Sequence, residues 1–240
     1  MECTIRLAET VIQITNTSEY MEHLLRNYKT GSDEIQVTID ESQLDIEAER
    51  EYYRQRNGTD RNANEESFAS LAIYREIAEQ MIARNTLLFH GSVICKDGNA
   101  YMFCADSGTG KSTHTRMWRE VYGDQVFMIN DDKPLIRFDE DIRAYGTPWS
   151  GKHHLDTNTN APLKGICLLS RDVVNHIEKI TEGEALPHLL RYCYRSKSPI
   201  GITKTLELLY AMTKKVPVYT LGCNISHEAA VIACEGMQNI

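Results

Sequence analysis

The sequence lacks any apolar run that could cross a membrane. Its longest uninterrupted apolar stretches are about six residues, such as 100–105, whereas a membrane helix needs about 18 to 20. The N-terminus has no basic flank followed by an apolar core, so we expect no signal peptide. We therefore predict a cytoplasmic protein with no membrane partner.

The sequence also lacks the cysteine patterns of disulfide scaffolds and zinc sites. Its seven cysteines are scattered, with no C-x-x-C pair and no histidine pair at zinc-finger spacing. We interpret them as reduced, mostly buried small apolar residues.

The composition is that of a globular chain, and its first 90 residues are unusually acidic. Of the 240 residues, 42% are hydrophobic and 25% are charged, as in ordinary one- or two-domain proteins. The net charge of −8 comes from the first 90 residues, which hold nine basic and seventeen acidic side chains, whereas the remainder holds seventeen of each. This acidity argues against a nucleic-acid partner and leaves a basic or neutral polypeptide open.

The hydrophobic pattern predicts two domains, 1–85 and 86–240. The first is an acidic accessory region of mixed α and β structure, with strands over 4–15 and 35–39, helices over 19–28, 45–55 and 65–84, and an exposed loop over about 56–64. The second alternates strands (87–90, 92–95, 100–105, 125–129, 135–138, 163–169, 176–180, 216–221) with helices (111–121, 182–194, 203–212, 226–237). This alternation is typical of an α/β nucleotide-binding core.

A Gly-rich loop between a predicted strand and a predicted helix indicates a phosphate-binding loop. Its residues are Asp106, Ser107, Gly108, Thr109, Gly110, Lys111, Ser112 and Thr113. In such loops backbone N–H groups surround phosphate oxygens, a lysine reaches the β/γ-phosphates and a serine hydroxyl ligates Mg²⁺. The sequence therefore predicts ATP and Mg²⁺ as cofactors. Ala105 stands where the full pattern has its first glycine.

A second motif places two carboxylates after an apolar strand. Asp131 and Asp132 follow the predicted strand 125–129, only 20 residues beyond Lys111, so we expect them near the phosphates. Two adjacent carboxylates suit two tasks: one accepts a proton from an attacking hydroxyl, and the other, which we take to be Asp132 with Ser112, holds Mg²⁺. A capped turn is the structural alternative.

Two further segments carry candidate residues. His90 ends a strand just before the hairpin that leads into the loop, where it could contact the γ-phosphate or act on Asp131. The polar loop 146–154 contains Gly151, Lys152 and His153, which we assign to binding an anionic or peptide substrate. Ordinary structural roles are the alternatives for both segments. The same holds for His114, which either faces the nucleotide or packs in the core.

These motifs resemble the catalytic domain of the HPr kinase/phosphorylase superfamily, through His90-Gly91, the loop 106–112 and Asp131-Asp132. The loop also looks like that of ATP-dependent phosphoenolpyruvate carboxykinase. The runs 112–118, 130–134 and 146–152 look like the small serine-kinase-like proteins of bacteria, some of which are associated with peptide-modification gene clusters. The resemblance implies an HPr kinase/phosphoenolpyruvate carboxykinase-like P-loop core with an α+β N-terminal accessory region.

The resemblance also implies roles for individual residues. By it, Asp131 is the proton acceptor that activates a serine hydroxyl, Lys111 and Ser112 serve the nucleotide and Mg²⁺, and His90 assists at the phosphate.

The sequence departs from the family in its catalytic arginine and in a downstream acidic metal ligand. It has no Pro-Gly-Arg-Asn-type segment, and we consider Arg191 or Arg195 as the substitute. These departures argue against reverse phosphorolysis and against HPr itself as the acceptor.

The leading hypothesis is an ATP/Mg²⁺-dependent kinase that phosphorylates a serine hydroxyl of a protein or a ribosomally made precursor peptide. Two alternatives stay open. One is a small-molecule kinase or carboxykinase-like enzyme, and the other is a nucleotide-dependent regulator without turnover. The sequence also leaves a homo-oligomer open.

Overall fold

The computed structural model describes residues 1–59 and 64–238, and these divide into two units between Arg84 and Asn85. Each unit has its own sheet. The exposed loop predicted over about 56–64 lies in part at 60–63, outside the described residues. None of the helices within the two described ranges has both the length and the hydropathy that a membrane crossing requires.

The first unit contains a three-stranded sheet. Its strands are β1 (Glu2–Leu7), β2 (Thr10–Thr15) and β3 (Val37–Asp40), and β2 pairs antiparallel with β1 and parallel with β3. The prediction of one strand over 4–15 is wrong, because Ala8 and Glu9 adopt left-handed φ angles of 43° and 61° and turn the chain into a hairpin. Neither residue is the glycine or asparagine that usually signals such a turn.

Three helices complete the first unit: α1 (Glu19–Leu24), α2 (Ile46–Asn57) and α3 (Glu65–Ile82). Ser18 caps α1 by accepting a hydrogen bond from the Met21 N–H at 3.3 Å. Asn64 caps α3 by accepting from the Ser67 N–H at 2.9 Å. The buried face of α3 has the helical spacing expected from the sequence and includes Phe68, Ile73, Ile77 and Met81.

The second unit is built on a nine-stranded sheet. Its strands are β4 (Thr86–Leu88), β5 (Ser92–Lys96), β6 (Asn99–Cys104), β7 (Val126–Asn130), β8 (Leu135–Phe138), β9 (Ile142–Tyr145), β10 (Asn160–Arg171), β11 (His176–Lys179) and β12 (Val218–Cys223). Its helices are α4 (Lys111–Tyr122), α5 (Glu182–Tyr192), α6 (Pro199–Lys215) and α7 (His227–Gln238). The predicted α/β class is confirmed.

Strand β10 joins two parts of this sheet. Its first residues pair antiparallel with β9, and its later residues lie parallel to β6 on one side and to β12 on the other. The order is β4-β8-β9-β10-β6-β5-β7, with β12 next to β10 and β11 next to β12. Because β5 is antiparallel to both β6 and β7, the carboxyl ends of β6, β7 and β10 all face the same edge of the sheet.

The main core of this unit lies between the sheet and helices α4 and α7. Trp118 of α4 is fully buried, with its ring 5.9 Å from that of Tyr101 and 5.6 Å from that of Phe103. Buried neighbours include Ile94, Met128, Cys167, Leu221, Ala230 and Cys234. A buried side chain of this size contributes about 3 to 5 kcal/mol relative to alanine. This packing fixes α4, and with it the loop that precedes α4.

In the second unit, three elements differ from the prediction by more than two residues. Strand β9 was not predicted, because its four residues include the polar Arg143. Strand β10 begins three residues before the predicted start at 163. Helix α6 begins at Pro199 rather than 203, because Ser198 accepts a hydrogen bond from the Gly201 N–H at 3.0 Å and proline is favoured in a first helical turn.

Candidate active site

The loop between β6 and α4 turns at two glycines. Gly108 and Gly110 have φ angles of 78° and 127°, which residues with a Cβ rarely adopt. A hydrogen bond from the Thr109 N–H to the Asp106 carbonyl, at 3.2 Å, closes the turn. Strand, loop and helix therefore follow one another in the order that a phosphate-binding loop requires.

The N-terminus of α4 presents backbone donors at this loop. Its N-cap is Gly110, which has no side chain to cap the helix, and the His114 N–H makes the first helical bond, to the Gly110 carbonyl at 2.8 Å. The N–H groups of the first turn thus have no partner within the helix and carry partial positive charge. Ala105 is fully buried and is not among the described residues with positive φ, so its methyl group fits here.

Lys111, the first residue of α4, has a buried side chain. Its Nζ donates to the Ala105 carbonyl at 2.9 Å and lies 3.2 Å from His90 Nε2. Burial lowers the pKa of Lys111, and nearby acidic groups such as Asp132 raise it by less. Among the described residues these two hydrogen-bonding contacts are to a carbonyl oxygen and an imidazole nitrogen, and an anion would stabilise a buried ammonium in such surroundings.

His90 connects Lys111 to Asp132. Its Nδ1 lies 3.1 Å from Asp132 Oδ1, on the opposite side of the ring from Lys111. Because an ammonium group can only donate, His90 Nε2 accepts, and the ring proton is on Nδ1 and is donated to Asp132. The His90 backbone is held by a hydrogen bond from its N–H to the Tyr192 carbonyl at 2.7 Å.

Asp132 is a partly buried carboxylate with two cationic or donor partners. Oδ1 faces His90, and Oδ2 forms an ion pair with Lys133. Burial by itself raises the pKa of Asp132, but the hydrogen bond from His90 and the charge of Lys133 lower it by more, so the pKa is well below the usual range. Asp132 is therefore ionised and a weak base.

Asp131 is more deeply buried and is held by β5. Ser92, the first residue of β5, donates to Asp131 Oδ1 at 2.9 Å, and its hydroxyl also lies 3.1 Å from the Asp131 carbonyl oxygen. This contact has no local sequence signal, because β5 lies between β6 and β7 only in the folded sheet. The adjacent aspartates thus have different surroundings.

Asn130 fixes the turn that carries both aspartates. Its Nδ2 donates to Thr147 O at 2.9 Å and lies 3.1 Å from Thr147 Oγ1, while its Oδ1 accepts from the N–H groups of Asp132 (2.9 Å) and Lys133 (2.7 Å). Asn130 and Thr147 are both fully buried. The amide therefore joins the turn to the segment that begins the 146–154 loop.

The 146–154 loop reaches Asp132 at one point. A Cβ on Gly151, whose φ is 71°, would lie 3.2 Å from Asp132 Cβ, so this predicted substrate-binding residue lies against the site. Lys152 and His153 follow it in a short 3₁₀ turn and have exposed side chains. Of the remaining predicted loop residues, Ser107 is exposed, and Ser112 and Thr113 are partly buried.

Two arginines contact the Gly-rich loop. Arg191 forms an ion pair with Asp106 (2.6 Å), whereas Arg195 is exposed. Arg171, which was not among the predicted site residues, donates from Nη2 to the Gly108 carbonyl (2.5 Å) and from Nε to the Thr109 carbonyl (3.3 Å). Its only sequence signal is a basic residue just after a predicted strand.

His114 belongs to the core rather than to the nucleotide site. It is buried, its Nε2 accepts a hydrogen bond from Trp118 Nε1 at 3.0 Å, and its ring lies 4.8 Å from that of Phe103. Burial lowers the pKa of His114 to about 4. The ring is therefore neutral near pH 7.

The oxygen donors at the site fit Mg²⁺ rather than a metal that needs a cage of side chains. Within 1–59 and 64–238, no three His, Cys, Asp or Glu side chains form a metal-binding group. The carboxylates of Asp131 and Asp132 and the Ser112 hydroxyl are hard oxygen donors. Mg²⁺ binds proteins through one or two such groups together with substrate phosphates and water.

Comparisons with known proteins leave the family open. No protein-family model and no curated protein matches the sequence. Among solved structures, the chain is similar to the HPr(Ser) kinase/phosphatase from Coxiella burnetii, with 7% sequence identity and a TM-score of 0.37 over 62% of this chain and 95% of that chain. A TM-score of this size is too low to assign the chain to that family.

Proposed function

We propose that the chain is an ATP- and Mg²⁺-dependent phosphotransferase that phosphorylates a serine hydroxyl of a protein or peptide. The observation that carries this proposal is the buried Lys111, linked through His90 to the carboxylate of Asp132, at the N-terminus of α4. Phosphoryl transfer requires positive charge and backbone donors around the transferring group and a proton acceptor for the incoming hydroxyl. The site offers all three.

In this proposal the loop and the first turn of α4 bind the triphosphate. Lys111 exchanges its contacts with Ala105 and His90 for the β/γ-phosphates, because hydrogen bonds between charged groups are stronger than those to neutral acceptors. Arg191 lies beside the loop through Asp106 and adds a second positive charge near the phosphates.

Ser112 and Asp132 would hold Mg²⁺, which neutralises phosphate charge when bound. The low pKa of Asp132 supports this role, since the carboxylate is ionised and available to a cation. The ion pair between Lys133 and Asp132 Oδ2 would then have to break.

Asp131 is the proton acceptor in this proposal. Its carboxylate is buried and oriented by Ser92, and it retains lone pairs for a further donor. Asp132 is a poor base, because His90 and Lys133 stabilise its ionised form.

Transfer is direct and in line. The acceptor oxygen forms a bond to the γ-phosphorus while the bond from that phosphorus to the β–γ bridging oxygen breaks, the hydroxyl proton passes to Asp131, and ADP leaves. Because the protein forms no covalent intermediate, positioning and charge neutralisation lower the barrier.

Two features support a polypeptide acceptor. Gly151 lies against Asp132, and the exposed Lys152 and His153 follow it, which suits binding of an acceptor next to the carboxylates. The first 90 residues carry the excess negative charge, which favours docking of a basic or neutral polypeptide.

The test is transfer of labelled phosphate from Mg·ATP to candidate serine peptides and to free serine. Asp131→Asn should keep the fold and lower the transfer rate by about 10² to 10⁴, the usual effect of losing a general base. Asp132→Asn should raise the Mg²⁺ concentration required more than it lowers the limiting rate. Asp139→Asn, which removes an exposed partner of Arg137, is the matched control and should behave as wild type.

The outcomes separate the alternatives. A Mg²⁺ effect in Asp131→Asn and a rate effect in Asp132→Asn would exchange the two roles. Efficient phosphorylation of free serine with no labelled peptide would replace the protein-kinase proposal with a small-molecule kinase. Nucleotide binding without any transfer would favour a regulator.

A further inference from the structure

The strongest unassigned feature is the guanidinium of Arg171, which contacts the Gly-rich loop from a neighbouring strand. It donates to two consecutive carbonyls, those of Gly108 (2.5 Å) and Thr109 (3.3 Å). The side chain is exposed, and among the described residues these two carbonyls are its hydrogen-bond acceptors. These contacts are hydrogen bonds to the backbone of the loop and not an ion pair with an acidic side chain, so the arginine can orient the loop.

The sheet places Arg171 at the level of the loop. In the register of β10 against β6, Leu168 pairs with Cys104, the last residue of β6, so Arg171 lies three residues past the end of that strand. Its own backbone pairs with Cys223 of β12. The side chain therefore projects from a paired strand, so the position of the Arg171 backbone is fixed.

Peptide geometry makes this contact informative. A trans peptide is planar, with its carbonyl and the next N–H on opposite sides. Binding the Thr109 carbonyl to Arg171 therefore turns the Gly110 N–H away from the guanidinium, while the Thr109 N–H is bound to the Asp106 carbonyl. Without such support the loop would be free to rotate, because Gly108 and Gly110 tolerate many conformations.

We propose that Arg171 is a positioning residue that holds the Gly-rich loop in the conformation that directs the Gly110 N–H to phosphate. The inference rests on the proposed nucleotide function. Its chemistry requires arginine, because the planar fork of the guanidinium contacts two carbonyls at once, whereas a lysine ammonium is a point donor on a flexible stem.

Two variants and one control test this role. Arg171→Gln removes the fork and the charge. Arg171→Lys keeps the charge and one donor, and it serves as the second variant where the glutamine protein does not fold. Arg143→Gln is the control, because Arg143 also makes a side-chain hydrogen bond in this unit, to Asn160 Oδ1 at 2.6 Å, but is placed on β9.

Hydrogen exchange of the segment 106–112 in the nucleotide-free protein gives the first readout. Arg171→Gln should exchange faster in this segment, Arg171→Lys should be intermediate, and Arg143→Gln should match wild type. Calorimetric titration gives the second. The Kd for a non-hydrolysable ATP analogue should rise about 10- to 100-fold in Arg171→Gln, with little change for AMP, because the loop binds the terminal phosphates.

Unchanged exchange and unchanged triphosphate affinity in a folded Arg171→Gln protein would overturn the inference and leave the proposed function standing. An equal loss of affinity for AMP and the triphosphate would also overturn it, because the loss would then be general. If the wild type binds no nucleotide, the proposed function fails, and exchange alone decides: faster exchange upholds Arg171 as the support of the loop, and unchanged exchange refutes it.

Discussion

Replacement of Asn130 by alanine should both destabilise the second unit and disturb its carboxylates. The substitution removes two contacts to Thr147 and two hydrogen bonds accepted from the N–H groups of Asp132 and Lys133. Thr147 is fully buried, so its carbonyl loses a partner that water does not replace. The turn that carries Asp131 would at the same time lose its internal support.

The magnitude follows from these contacts. One buried carbonyl left without a donor costs about 1 to 3 kcal/mol, and each other lost hydrogen bond contributes about 0.5 to 1.5 kcal/mol. Because the turn is partly exposed and can relax toward water, we expect a total loss of about 2 to 4 kcal/mol. For a unit of this size such a loss lowers Tm by about 5 to 15 °C.

Urea unfolding followed by circular dichroism measures this loss, and Asn99→Ala is the matched control. Asn99 is a partly exposed asparagine in the same unit with one hydrogen bond, to the Asp97 carbonyl at 3.2 Å, so its replacement should cost no more than about 0.5 kcal/mol. Phosphate transfer by Asn130→Ala should fall further than its unfolded fraction explains. A stability equal to that of Asn99→Ala would refute the assigned role of Asn130.

Two other predictions concern pH and backbone space. Burial lowers the pKa of His114 to about 4, so its contribution to stability is present above about pH 6.5 and is lost as the pH falls toward 4. In urea titrations at several pH values, His114→Gln should make the unfolding free energy depend less on pH over that range. An unchanged dependence of the unfolding free energy on pH would contradict this. A Cβ on Gly146 would lie 2.0 Å from the Thr157 carbonyl oxygen, whereas Gly98 has positive φ but no atom nearby. Gly146→Ala should therefore lower the free energy of unfolding by about 1 to 3 kcal/mol more than Gly98→Ala does. Equal losses would show that the backbone at Gly146 relaxes without cost.

The elements that form the loop are predictable from the sequence because their signals are local. An apolar run predicts β6, two glycines predict the turn at 108–110, and Lys111 starts a helix with one apolar face. By contrast, the hairpin at Ala8 and Glu9 has no local signal, and β9 is too short and polar to be recognised.

The arrangement of the site depends on strand order, which is set by long-range packing. Strand β5 lies between β6 and β7, and this position brings Ser92 to Asp131. The pairings of β10 with β6 and β12 place Arg171 beside the loop. Polar residues at strand ends are common, so neither contact follows from residue type or spacing.

Calorimetric titration with a non-hydrolysable ATP analogue and Mg²⁺ tests the central claim most directly. The wild type should bind, and Lys111→Ala should bind about 100-fold more weakly or not at all, because the positive charge that contacts the β/γ-phosphates is lost. Lys164→Ala, an exposed lysine near the start of β10, should bind as the wild type does. Absence of binding by the wild type, or equal affinity in Lys111→Ala, would contradict the assignment of this loop to a nucleotide.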